Sequence, residues 1–161
     1  MSAFDFSFRA LDGTPLPLRN FAGRPLLVVN TASKCGFTPQ YEGLEDIATR
    51  FRGRGLVVLG VPSNDFAGQE PGTPEDIAAF CASNYHIDFP LTEKVHVRGP
   101  EVDPLFRWLA AEGGFLSRPR WNFYKYLIGR DGGLKRWFTS LTRPDSAKFV
   151  RAIEALVGEN G

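Results

Sequence analysis

The chain is poor in the residues that build metal sites and disulfide scaffolds. Its 161 residues include two cysteines, two histidines and one methionine. Two cysteines cannot make a disulfide framework. Cys81 and His86 lie five positions apart and His96 stands alone, so no zinc-ligand spacing is present, and neither a metal nor a cofactor is expected. Charge of one sign is not in excess: 19 basic residues oppose 18 acidic ones for a formal net charge of +1. That balance gives no reason to expect nucleic acid or an anionic membrane as partner. No apolar run approaches the roughly 18–20 residues a membrane span needs, so no integral membrane segment is expected. The opening stretch MSAFDFSFRA has neither the basic start nor the long apolar centre of a secretory signal. Linkers, repeats and low-complexity segments are missing too. The expectation is a single domain over residues 1–161, cytoplasmic, with both thiols reduced.

What is present is patterned. FSFRALDGTPLPL alternates apolar and polar residues around Asp12-Gly13, which predicts an N-terminal β-hairpin. RPLLVVNTAS, from Arg24, and GLVVLGVPS, from Gly55, are continuous apolar runs of the kind found in strands covered on both faces. Between them Thr38 and Pro39 read as N-cap and first residue of a helix. Leu44, Ile47, Ala48 and Phe51 give that helix one apolar stripe. Strand, helix and strand in this order predict a right-handed parallel unit. Thr73-Pro74-Glu75-Asp76 opens a second helix through a capping box, with Ile77, Phe80 and Cys81 inward. Asp103-Pro104 opens a third, with Leu105, Trp108 and Leu109 inward. WNFYKYLI and LKRWF flank a hairpin turn at Arg130-Asp131-Gly132-Gly133. A last helix from about Pro144 carries Phe149, Ile153 and Leu156 on one side. The order hairpin, βαβ, helices, hairpin, helix suits an α/β thioredoxin-like fold, a central mixed β-sheet flanked by helices on both faces.

Cys35 lies just ahead of a predicted helix start, where unpaired N–H groups favour negative charge. A thiol reacts as its thiolate, so this placement admits a nucleophile. It equally admits a small buried hydrophobe, and position alone leaves both open. Cys81 is 46 positions further on, so there is no Cys-x-x-Cys pair of the ordinary thiol–disulfide exchanger. On the apolar face of its own helix, Cys81 reads locally as a packed core thiol.

Three separated segments resemble the glutathione peroxidase family. NTASKCGFTPQYEGL, residues 30–44, is similar to the segment bearing the family's peroxidatic cysteine or selenocysteine. PSNDFAGQEPGT, residues 62–73, resembles the block with its active-site glutamine, and WNFYKYLI from Trp121 resembles its Trp-Asn-Phe signature. Their order and spacing also match, over nearly the whole chain. The resemblance implies that Cys35 is the peroxidatic nucleophile and that Gln69, Trp121 and Asn122 complete a catalytic tetrad. Neutral amide and indole donors suit a reaction that builds charge on a thiolate and then on a leaving oxygen.

Further consequences belong to the resemblance as well. Cys81 matches the resolving cysteine of the thioredoxin-dependent, two-cysteine branch, which implies thioredoxin as reductant and an intramolecular disulfide with Cys35. The expected substrates are hydrogen peroxide and organic or lipid hydroperoxides. Departures from the pattern are Ser63, where many thiol-type relatives carry a further cysteine, and Asp65, where a glutamine is common. The short stretch from Leu109 to Trp121 implies a monomer. Three rival readings stand: a glutathione-dependent peroxidase with Cys81 only packing, a peroxide sensor that oxidises a partner protein, and a thioredoxin-like binding domain without catalysis. Arg118, Arg120, Lys125 and Arg136 are candidates for a basic rim, against the plainer reading of a solvated face.

Overall fold

The two continuous apolar runs lie side by side in the main sheet. The computed structural model describes residues 1–159. The N-terminal hairpin pairs β1 (Ser7–Arg9) with β2 (Pro15–Pro17), with Phe8 opposite Leu16. Asp12 shapes its turn by accepting from the Thr14 amide at 3.0 Å, and Gly13 takes φ +84°. The chain then runs through β3 (Leu26–Thr31), helix α1 (Gln40–Phe51) and β4 (Val57–Pro62). Next come helices α2 (Pro74–Tyr85) and α3 (Pro104–Gly113), strands β5 (Lys125–Ile128) and β6 (Leu134–Phe138), and helix α4 (Ala147–Gly158).

The main sheet has the order β4-β3-β5-β6. β3 and β4 run parallel in register from Leu26↔Val57 to Thr31↔Pro62, while β5 is antiparallel to β3 and β6 to β5. Every residue of β3 and β4 is buried, as strands covered on both faces require. Alternate side chains feed two cores. Leu27 and Val29 meet α1, α2 and α4 through Leu44, Ile77 and Phe149. Leu26 and Val28 meet α3 and the hairpin through Leu105, Phe106 and Phe8. Fully burying each such Leu or Phe is worth about 1.5–3 kcal/mol. This is the thioredoxin-like mixed sheet expected above. At its β4 edge the glycine in Val57–Pro62 is required, because a Cβ on Gly60 would sit 2.5 Å from a Leu91 methyl group.

The capping box of α2 is formed: Thr73 Oγ1 accepts from the Asp76 amide at 3.2 Å and Asp76 Oδ2 from the Thr73 amide at 3.0 Å. Four details differ from the sequence expectation. Helix α1 begins at Gln40, and Thr38 makes no cap to it, because its hydroxyl is engaged in the preceding loop. Helix α4 begins at Ala147, capped by Ser146 rather than near Pro144. Trp121-Asn122-Phe123 forms a turn before β5, with Phe123 at φ +63°. Lys125 is fully buried, so it belongs to no basic rim. Its ammonium reaches only the Thr139 carbonyl, at 3.3 Å, and burial pushes its pKa down to about 7.

Candidate active site

Two parallel strands and one antiparallel strand deliver the candidate residues to one edge of the sheet. Loops after the carboxyl ends of parallel strands are where open α/β sheets place their sites. Cys35 follows β3, Gln69 follows β4, and Trp121-Asn122 precedes β5.

The Cys35 loop is held by its own backbone. The Cys35 amide donates to Thr38 Oγ1 at 2.9 Å, and that hydroxyl donates to the Ala32 carbonyl at 2.8 Å. Successive turn bonds, Thr38 N–H to Cys35 C=O and Tyr41 N–H to Thr38 C=O, each 3.0 Å, lead into α1. Thr38 therefore braces the loop where the sequence suggested a cap. The Cys35 side is 8% exposed, and its Sγ accepts from the Phe37 amide at 3.4 Å. An N–H aimed at sulfur is a ready donor to negative charge there. Gly36, Phe37 and Gln40 line a solvent cleft of about 500 Å3.

The Gln69 loop is tied to the cysteine loop by the Lys34 amide, which donates to the Gln69 carbonyl at 3.0 Å. Asn122, fully buried, donates from Nδ2 to Gln69 Oε1 at 2.9 Å. That bond leaves the Gln69 Nε2 hydrogens free to donate elsewhere. The Asn122 carbonyl in turn accepts from the Ser140 hydroxyl. Trp121 is half-buried and packs against the core cluster that contains both Cys35 and Cys81. Its ring lies 5.8 Å from that of Phe66, the buried anchor of the Gln69 loop.

Asn30 was not singled out from sequence. Buried in β3, it donates to the Trp121 carbonyl at 2.9 Å and accepts from the Tyr124 amide at 3.0 Å. Its own carbonyl accepts from the Phe123 amide at 2.6 Å. These bonds enclose the left-handed Phe123, a conformation that costs a bulky residue about 1–2 kcal/mol. The signal available was a polar residue inside an otherwise apolar strand. Glu70 was missed too: it is 1% exposed. Burial pushes its carboxyl above the usual range, against opposing pulls from Ser33 and Lys94.

Asp65 turns its charge into the neighbouring loop. It accepts from His96 Nδ1 and the Val97 amide, each at 2.7 Å. Burial pushes its carboxyl up, but these bonds outweigh that and hold it below the usual range. Cys81 sits on the inner face of α2 at 1% exposure. Burial pushes its thiol up to about 11. Both cysteines are free thiols.

The mixed sheet flanked by helices, with a thiol in the loop after β3, places the chain among α/β proteins of thioredoxin-like fold. The same fold is found in a thiol:disulfide interchange protein of the thioredoxin family from Chlorobium tepidum. That structure superimposes with a TM-score of 0.72 over 98% of this chain and 97% of its own, at 17% identity. The model of the glutathione peroxidase family matches residues 3–110. The chain is 47% identical over 150 residues to the hydroperoxy fatty acid reductase gpx1 of Synechocystis, covering 88% of this chain and 89% of the relative. It is 44% identical over 144 residues to the glutathione peroxidase-like peroxiredoxin gpx1 of Schizosaccharomyces pombe, covering 88% and 91%. The chain belongs to the glutathione peroxidase family, and it is a peroxidase.

Proposed function

We propose that this peroxidase reduces hydrogen peroxide and organic hydroperoxides, fatty-acid hydroperoxides among them, by a two-cysteine cycle recycled by thioredoxin. The observation that carries the reading is the Gln69–Asn122 amide pair on the same sheet edge as the Cys35 sulfur. The Cys35 thiolate attacks the terminal peroxide oxygen and the O–O bond breaks. The sulfur becomes a sulfenic acid, and the leaving oxygen departs as alcohol or water after taking a proton. Free hydrogens on the Gln69 amide and the Trp121 indole supply donors to the charge that develops.

Resolution falls to Cys81. While α2 is intact its thiol is buried and protonated, so α2 must open before it reacts. Cys81 then attacks Cys35–SOH, an S–S bond forms, the S–O bond breaks and water leaves. A thioredoxin dithiol supplies the two electrons that restore both thiols. The peroxiredoxin name of the fission-yeast relative supports this reductant. The short connection between α3 and Trp121 supports a monomer.

Cys81→Ser tests the cycle. The variant should consume one equivalent of hydrogen peroxide and then stop when supplied with thioredoxin, thioredoxin reductase and NADPH. Full turnover in that assay removes Cys81 from the mechanism. The burial of Cys81 and its raised pKa favour a second reading, in which glutathione reduces Cys35–SOH and Cys81 only packs. That reading predicts faster steady-state turnover with glutathione than with thioredoxin.

A further inference from the structure

On the stretch that leads into Trp121 a cleft of about 440 Å3 brings cationic and apolar surfaces together. Arg98, Arg107, Arg118 and Arg120 surround it, and Val102 and Phe106 lie on its floor. Arg118 and Arg120 were candidates for a basic rim from sequence; Arg98 and Arg107 join them only through the fold. None of the four makes an ion pair with a carboxylate among the described residues.

Three of the guanidinium groups are oriented by other means. Arg98 lies 4.5 Å over the Phe66 ring and donates to the Asp65 carbonyl at 2.7 Å. Arg118 lies 3.9 Å over Phe115. Arg120 lies 5.8 Å over Tyr124 and donates to the Leu116 carbonyl at 3.3 Å. Stacking on a ring face leaves most guanidinium N–H groups free, in the planar fork that matches a carboxylate. Phe115 is 70% exposed and Leu116 58%, which adds apolar surface at the rim. The cleft adjoins Trp121: Phe66 carries Arg98 and meets the Trp121 ring at 5.8 Å, and Arg120 immediately precedes Trp121.

We propose that this cleft is a carboxylate subsite for long-chain fatty-acid hydroperoxides. The arginines hold the acid, and the acyl chain crosses the apolar floor toward Trp121, so that a hydroperoxide borne mid-chain reaches Cys35. The inference rests on the peroxidase reading above. A free carboxylate suits the site better than a membrane surface, because the cations converge on a concave cleft with an apolar floor.

The test compares kcat/KM for linoleic acid hydroperoxide with that for its methyl ester, in the intact protein and in Arg107→Glu/Arg118→Glu. The intact protein should prefer the acid by about tenfold at low salt, the size of one retained charge-assisted contact. The preference should shrink as salt rises. The double variant should lose it through KM, with kcat for the acid held, because the contact is made equally in ground and transition states. Arg118→Lys, which keeps the charge without the fork, should lose part of it.

An acid-to-ester ratio near one in the intact protein, or an unchanged ratio in the double variant, overturns the subsite. So does activation by vesicles of anionic phospholipid without discrimination between acid and ester, which would assign the arginines to a membrane surface. Hydrogen peroxide keeps the two readings apart. A protein that turns over hydrogen peroxide but ignores the carboxylate loses only the subsite. One that reduces no hydroperoxide with either reductant loses the peroxidase cycle and the subsite together.

Discussion

If Cys81 resolves the oxidised site, the stability of α2 sets the speed of disulfide formation, and the capping box makes that stability adjustable. With a thiol pKa of about 11, roughly one Cys81 in 4,000 is a thiolate at pH 7.4. An ordinary cysteine near pKa 8.5 would be ionised at roughly one in 14. Opening α2 therefore raises the thiolate fraction by roughly 300-fold and also frees the sulfur to move. Thr73→Ala removes the acceptor for the Asp76 amide and loosens the reciprocal bond, with Pro74 retained at the first helical position. Loss of such a cap costs ~1 kcal/mol, which makes the open helix about fivefold more populated. At the other end His86 sits at φ +52°, where glycine is at ease, so His86→Gly should stabilise the closed helix and act in the opposite sense.

The assay adds one equivalent of hydrogen peroxide to the reduced protein, blocks free thiols at intervals and counts the Cys35–Cys81 disulfide by mass spectrometry. Thr73→Ala should form it about fivefold faster and His86→Gly more slowly, with sulfenic acid appearing at the same rate in both. Hydrogen exchange of the α2 amides provides the control. Faster exchange in Thr73→Ala without faster disulfide formation would refute gating by this helix.

Three further outcomes are expected. Gln69→Ala removes the amide whose Nε2 is free to donate and leaves Asn122 without its acceptor, and should slow the peroxide step about 100-fold in stopped flow while the protein still folds. Lys125 is protonated when unfolded, near 10.5, and loses its proton near pH 7 when folded. The unfolded chain thus holds the extra proton between those values, and stability rises with pH across that window. Lys125→Met should remove this slope and gain roughly 3 kcal/mol near pH 7 in urea titrations, about 5 from the pKa difference less the lost carbonyl bond and imperfect packing. The bond to Asp65, then its charge, raise the pKa of His96 above 6.5, so their contribution is full below 6.5 and lost as pH rises through the folded value. The drop in melting temperature caused by His96→Ala should therefore be larger at pH 6 than at pH 8.5.

Which parts of this architecture were legible depended on whether they were written in neighbouring residues. The runs Leu26–Thr31 and Val57–Pro62, the stripe on α1 and the Thr73–Asp76 box are local patterns, and each is found in place. Thr38 was misassigned because its hydroxyl had two claimants within a few residues, the free amides of α1 and the Cys35 amide. The tighter turn leading into Gln40 decided for the cysteine. Asn30 and Lys125 show the limit from the other side. Each is a polar residue in an apolar strand, and only the pairing of β3 with the segment before β5, 91 positions away, turns Asn30 into a clamp on Trp121. Lys125 finds only the Thr139 carbonyl among the described residues, and burial lowers its pKa. The same rule separates the two cysteines. Cys35 lies in a loop that aims the Phe37 amide at its sulfur, whereas Cys81 lies in a packed helix that suppresses its chemistry. A resolving role for Cys81 therefore requires the opening of α2.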